Sequence, residues 1–191
     1  MTTRAWLLLA ALALMPTQGA GQEAGKPVTG STDLVETKAR SEVVFKDNIV
    51  ARGLIAVILT LTNPTDNTYL IRRPDIILQT EFDTRIASLE AQRAYDRLML
   101  NVAGGLYFAE AGIARAITEG ARKKKLRQSV LAKALGESIK LGPGQEIEGA
   151  LFFDLPKATK TMQFSTLVIQ EIVDEKTGER FSLRLPLASN P

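Results

Sequence analysis

Leu54-Ile-Ala-Val-Ile-Leu-Thr-Leu-Thr62 is a run of nine residues without a charge, a glycine or a proline, and five of them are β-branched. On an extended chain Ile55, Val57, Leu59 and Leu61 share one side and Ala56, Ile58, Thr60 and Thr62 the other, the period of two that a strand against a core requires. The run stops at Asn63-Pro-Thr-Asp-Asn67. There proline fixes φ, and Asn and Asp side chains bond their own backbone, so the chain turns.

Outward from this strand the pattern repeats. Glu42-Val-Val-Phe-Lys46 reads as a short strand upstream, and Tyr69 to Arg72 and Pro74 to Gln79 read as strands downstream. Past residue 140, Leu141-Gly-Pro-Gly-Gln145 is a turn, Glu146 to Leu155 a strand, and Pro156 to Lys160 another turn. Met162 to Val173 and Arg180 to Leu187 then flank Asp174-Glu-Lys-Thr-Gly-Glu179 as a hairpin. Six or seven short strands with regular turn signals predict a mainly β fold, an antiparallel immunoglobulin-like sandwich. The strand ending in Leu61-Thr-Asn-Pro-Thr-Asp66, with Gly142-Pro-Gly144 and Gly149-Ala-Leu-Phe-Phe-Asp-Leu-Pro156, resembles small exported bacterial immunoglobulin-like proteins that carry a helical segment between two strands. The resemblance spans 42–81 and 141–187. It implies a fold and carries no active site.

The ends bound the domain. Met1-Thr-Thr-Arg4 followed by the apolar run Ala5 to Met15 and the small residues Gly19, Ala20 and Gly21 has the layout of a secretory signal peptide over 1–21. Residues 22–40, rich in Gly, Pro, Ser, Thr and charge, are expected to be a flexible leader. Residues 41–189 are then one β-sandwich domain, and the expected location is periplasmic or secreted. Of the 191 residues 24 are basic and 21 acidic, a net +3 that is too small to suggest nucleic-acid binding.

A helical insertion interrupts the strands at about 83–139. Ile86, Leu89, Leu98 and Val102 recur at helical spacing, and Asp83 or Thr84 is placed to cap the start. Gly105, Ala109, Gly112, Ala116 and Gly120 are spaced by four, three, four and four, and on one helix they form a furrow that permits close packing. A second amphipathic helix is expected from about Ala121 to Glu137, and a reversal at either Gly104-Gly105 or Gly120 makes the insertion a helical hairpin. Arg122, Lys123, Lys124, Lys125 and Arg127 form a basic run spread around more than half of a helix. A membrane span over 98–117 is disfavoured, because it would set the two groups of strands on opposite sides of a bilayer and leave Glu110 within it.

The chain has no histidine and no cysteine. That removes Ser-His-Asp and Cys-His nucleophiles and imidazole or thiolate metal sites, so no catalytic residue, metal or cofactor is expected. Glu81 with Asp83 reads as a helix cap, and Asp174, Glu175 and Glu179 as a hairpin turn. What remains is a non-enzymatic binding or assembly protein that presents the small-residue furrow and the basic run to an envelope protein. The alternative is an anionic membrane surface, with Leu106, Tyr107, Phe108 and Ile113 inserted and the basic run on the headgroups.

Overall fold

The computed structural model describes residues 27–103, 112–155, 162 and 164–188, with the helical backbone alone at 100–103 and 112–119. Its strands are β1 (Thr29–Val35), β2 (Leu54–Thr62), β3 (Tyr69–Arg72), β4 (Ile76–Gln79), β5 (Arg85–Ala87), β6 (Ser138–Leu141), β7 (Glu146–Asp154), β8 (Thr166–Asp174) and β9 (Arg180–Pro186). Its helices are α1 (Lys38–Phe45), α2 (Ala91–Ala103) and α3 (Gly112–Lys133). The fold is mainly antiparallel β.

β1, β2 and β7 form one sheet, with Leu59 of β2 opposite Thr32 and Gly149. The second sheet is built on β8. Along one side of β8 lies β9; along the other lie β4 and β3 end to end, with β5 beside β4 and β6 beside β3. The sheets curl until their edges meet. On one edge the Leu34 amide donates to Ala188 O at 2.7 Å and Thr32 Oγ1 to Pro186 O at 2.7 Å. On the other, the Leu89 amide donates to Phe152 O at 2.8 Å.

The core is double. Ile55, Val57, Leu59 and Leu61 of β2 and Leu151 and Phe153 of β7 face the second sheet. Leu54, Ala56, Ala150 and Phe152, on the opposite faces of the same two strands, are buried under Ala94 and Leu98 of α2 and Leu126 and Val130 of α3. A sheet covered on both sides loses the polar alternation of a half-solvated one, which is why β2 is apolar on both faces from Leu54 to Ile58.

Several sequence expectations are corrected. Residues 42–46 are not a strand: Thr37 Oγ1 accepts the Arg40 amide at 3.2 Å as a helix cap, and α1 ends at Lys46 in the left-handed region at φ 59°. About two turns of helix bury Ser41 and Phe45, four apart, from a stretch whose two adjacent valines mask the period. The segment 22–40 is not a leader from Thr29 onward: β1 pairs with β2 along its whole length, and its Thr and Ser suit an edge strand. Nine strands, rather than six or seven, are present among the described residues. The insertion begins and ends as strand. Ile86 lies in β5, and Asp83, at φ 60°, is a hairpin-turn residue whose amide donates to Thr80 O at 3.0 Å, so it caps no helix. The second helix starts at Gly112 rather than Ala121 and ends at Lys133.

Candidate functional site: the outer face of the helical insertion

The insertion leaves and re-enters the second sheet at one point. β5 and β6 lie on the same flank of β4 and β3, and the break between those strands is a 3₁₀ turn, Arg73-Pro-Asp75, where proline cannot continue the ladder. Opposite this break the chain departs at Ser88 and returns at Glu137. Arg73, only 7% exposed, clasps both roots. Its Nη1 donates to Ser88 O at 3.1 Å, its Nη2 lies 3.8 Å from Glu90 Oε1, and its amide donates to Glu137 O at 2.8 Å. Ser88 Oγ completes the ring by donating to Arg73 O at 3.1 Å.

A second set of contacts joins the roots to β7. The Leu135 amide donates to Ala150 O at 3.0 Å, parallel to the Leu89 contact two residues away. A Cβ at Gly149 would sit 2.6 Å from Leu135 Cγ and 3.2 Å from Lys133 O, so a glycine is required there for the end of α3 to reach the sheet. Since the start of α2 and the end of α3 both touch β7, the helices run antiparallel. That arrangement is the helical hairpin.

Among the described residues, the inner face of the hairpin is buried. Phe45 and Phe152 rings tilt at 49° with centroids 5.4 Å apart, beneath Leu98, Leu126 and Val130. Beside them Asp47, its side chain 3% exposed, accepts from Arg52 Nη2 at 3.0 Å, from Arg122 Nη2 at 2.6 Å and from the Asn48 amide at 2.8 Å. Ser41 Oγ donates to Asp47 O at 2.6 Å and accepts the Ile49 amide at 2.9 Å, which fixes the loop that carries the carboxylate.

The basic run is therefore divided in its roles. Arg122 ties α3 to Asp47, and Arg127 lies 5.8 Å over the Tyr95 ring, a cation–π contact between α3 and α2. Lys123 is half-buried, Lys124 and Lys125 are exposed, and none of the three has an ion-pair partner among the described residues. Of the furrow, Gly105 and Ala109 lie outside the described residues, as does the Gly104-Gly105 pair. Gly112, Ala116 and Gly120 fall on α3 at successive fours. α3 runs unbroken through Gly120, so the chain does not reverse there. A Cβ at Gly120 would meet nothing within 4 Å, so the described end of the furrow opens outward. Leu106, Tyr107 and Phe108 lie outside the described residues, and of Ile113 only the backbone is described.

Arg73, Asp47 and the packing role of Gly149 are not evident from the sequence. Arg73 before Pro74 inside a strand-like stretch was the one visible signal; a lone Asp and a strand glycine carry none. The acidic residues of the last hairpin belong to its turn. Asp174 accepts from the Lys176 and Thr177 amides at 2.8 and 3.0 Å and from Asn67 Nδ2 at 2.6 Å, and Glu175 pairs with Lys140 at 2.8 Å. The Thr177 amide above all, with the Lys176 and Asn67 donors, holds the Asp174 carboxyl below its ordinary range against the opposing effect of burial. Among the described residues no helix is long and apolar enough to cross a membrane.

No known protein family's sequence profile matches the chain, and no curated protein matches it in sequence. Among solved structures, the crystal structure of the yjhA protein from Bacillus subtilis aligns over 71% of this chain and 76% of its own, at 11% identity and a TM-score of 0.38.

Proposed function

We propose that the chain is a non-enzymatic exported protein, periplasmic or secreted after removal of residues 1–21, whose immunoglobulin-like β scaffold presents the α2–α3 hairpin to a protein partner in the cell envelope. One observation carries this reading: the hairpin is fixed at both roots and, among the described residues, buried on its inner face, while its outer face, from Gly120 through Lys124 and Arg127, is left to solvent. A glycine in mid-helix costs about 1 kcal/mol relative to alanine, and at Gly120 no described residue fills the space of the missing side chain. A partner approaching along the furrow would.

The test is photocrosslinking from Gln128, which is exposed beside this face, in the envelope of the producing cell, compared with the same probe at Ser182 on β9. A partner captured from α3 alone, and lost in Gly112→Leu/Ala116→Leu, supports the reading. If the doubly substituted chain stays folded and retains every crosslink and the cellular phenotype, the furrow has no binding role.

A further inference from the structure

Charge is distributed unevenly along this molecule. Residues 120–136 contain six basic residues and no acidic one; the rest of the chain holds 18 basic (24 minus 6) and 21 acidic residues. The net positive charge of the protein thus resides in the second half of α3, on a body that is otherwise slightly acidic. Arg122 is spent on Asp47 and Arg127 lies over Tyr95, whereas Lys123, Lys124, Lys125 and Lys133 have no salt bridge among the described residues. Lys124, Lys125 and Lys133 are exposed, as is Leu131, which lies two turns along the helix from Lys124 on the same side.

We infer that this face of α3 docks on an anionic phospholipid surface. Lysine ammoniums are point charges without the fork that selects a particular carboxylate geometry. Lys124, Lys125 and Leu131 point away from the buried Leu126–Val130 seam and share the outer side of α3, whereas Lys123 and Lys133 flank that seam; two such ammoniums beside an exposed leucine suit a diffuse sheet of negative charge better than a fixed row of acidic side chains on a partner. Leu131 is the single large apolar side chain exposed on the described part of α3, so contact is shallow and electrostatic. The inference rests on the reading that the outer face of the hairpin is the interaction surface, and it names lipid as an occupant of its cationic half, distinct from the furrow.

The probe is vesicle flotation of the full chain, as the cell delivers it, on pure phosphatidylcholine and on phosphatidylcholine with about 30% phosphatidylglycerol, at low salt and at about 0.5 M salt. The chain is expected to float with the anionic vesicles at low salt and to stay at the bottom in the other conditions. Each lysine near the surface contributes about a fivefold change in partitioning, so Lys124→Gln/Lys125→Gln should bind on the order of 25-fold more weakly. A control removes two cations elsewhere, Arg85→Gln/Lys176→Gln, and should bind like the parent. Matching thermal melts establish that both variants are folded. Equal flotation on neutral vesicles, equal loss in both variants, or no flotation at all would overturn the inference. No flotation together with a protein crosslinked at Gln128 would overturn it while leaving the protein-partner reading intact.

Discussion

Asp47 is the residue on which the helical layer turns. Its carboxylate is buried and holds two arginines from different elements, Arg52 next to α1 and Arg122 on α3. The partners are unequal. Arg52 is itself largely buried, with its Nη1 also 3.4 Å from Leu98 O, so removing the carboxylate takes the anion away from beside a largely buried guanidinium. Asp47→Ala should therefore cost about 3 kcal/mol in urea unfolding, in the range for breaking a buried pair. Arg122 is 64% exposed on its side chain, where water screens the pair, and Arg122→Gln should cost less than about 1 kcal/mol. A different carboxylate sets a pH dependence. Asp174 has its carboxyl held down by the Thr177, Lys176 and Asn67 donors, so the folded state binds its proton less readily than the unfolded chain does. The stability it contributes is complete above the ordinary carboxylate range and is lost as pH falls through the lowered folded value. Melting temperature as a function of pH should fall more steeply on the acid side in the parent than in Asp174→Asn, which lacks this group.

At the level of elements, the roots of the hairpin decide how it sits. The close approach at Gly149 makes a sharp prediction: Gly149→Ala drives a methyl into Leu135 and should cost about 1–3 kcal/mol by overpacking. Leu135→Ala made alongside it should recover part of that loss, which a double-mutant cycle in urea will read as coupling between the two positions. Gly120 gives the opposite sign. With nothing near its Cβ, Gly120→Ala should raise stability by about 1 kcal/mol through helix propensity alone, measured by thermal or urea unfolding. These elements were unequally legible in the sequence. β2 could be read because nine uninterrupted apolar and β-branched residues leave no other choice, and Asp174 to Glu179 because turn residues cluster there. α1 could not, since its burial signal is only Ser41 and Phe45 and its cap, Thr37, looks like any other threonine in a polar stretch. β5 and β6 were hidden for a related reason: at three and four residues each they are too short to show a period, and Ile86 fits a helical stripe as well as a strand.

On the scale of the whole molecule, the consequential feature is that β2 and β7 are buried on both sides. The inter-sheet core was legible from alternation at Ile55, Val57, Leu59 and Leu61. The second core was not, because it is formed by residues far apart in sequence, Val35, Phe45, Leu54, Phe152, Leu98 and Leu126, whose meeting depends on how the hairpin folds back. The furrow and the basic run were visible as patterns, but which lysines stay uncompensated depends on the distant Asp47 and Tyr95. This arrangement distinguishes an integral layer from an appendage. Adjacent residues sample the two cores: Phe153 faces the second sheet and Phe152 faces the helices, and both are essentially inaccessible to solvent. If the hairpin were dispensable, Phe152→Ala would be mild and Phe153→Ala severe. The packing makes them comparable, each costing about 3–5 kcal/mol. Excising residues 89–136 and bridging the gap with a short glycine-serine linker should then leave Leu54, Ala56, Ala150 and Phe152 facing water, a contiguous apolar surface of the kind that drives association. The shortened chain is expected to be recovered as aggregate, or as a species that lacks the cooperative transition of the parent, read by size-exclusion chromatography and calorimetry. A monomeric product that unfolds in one sharp step near the parent's melting temperature would mean that the two sheets stand alone and that the helices lean on them without completing them.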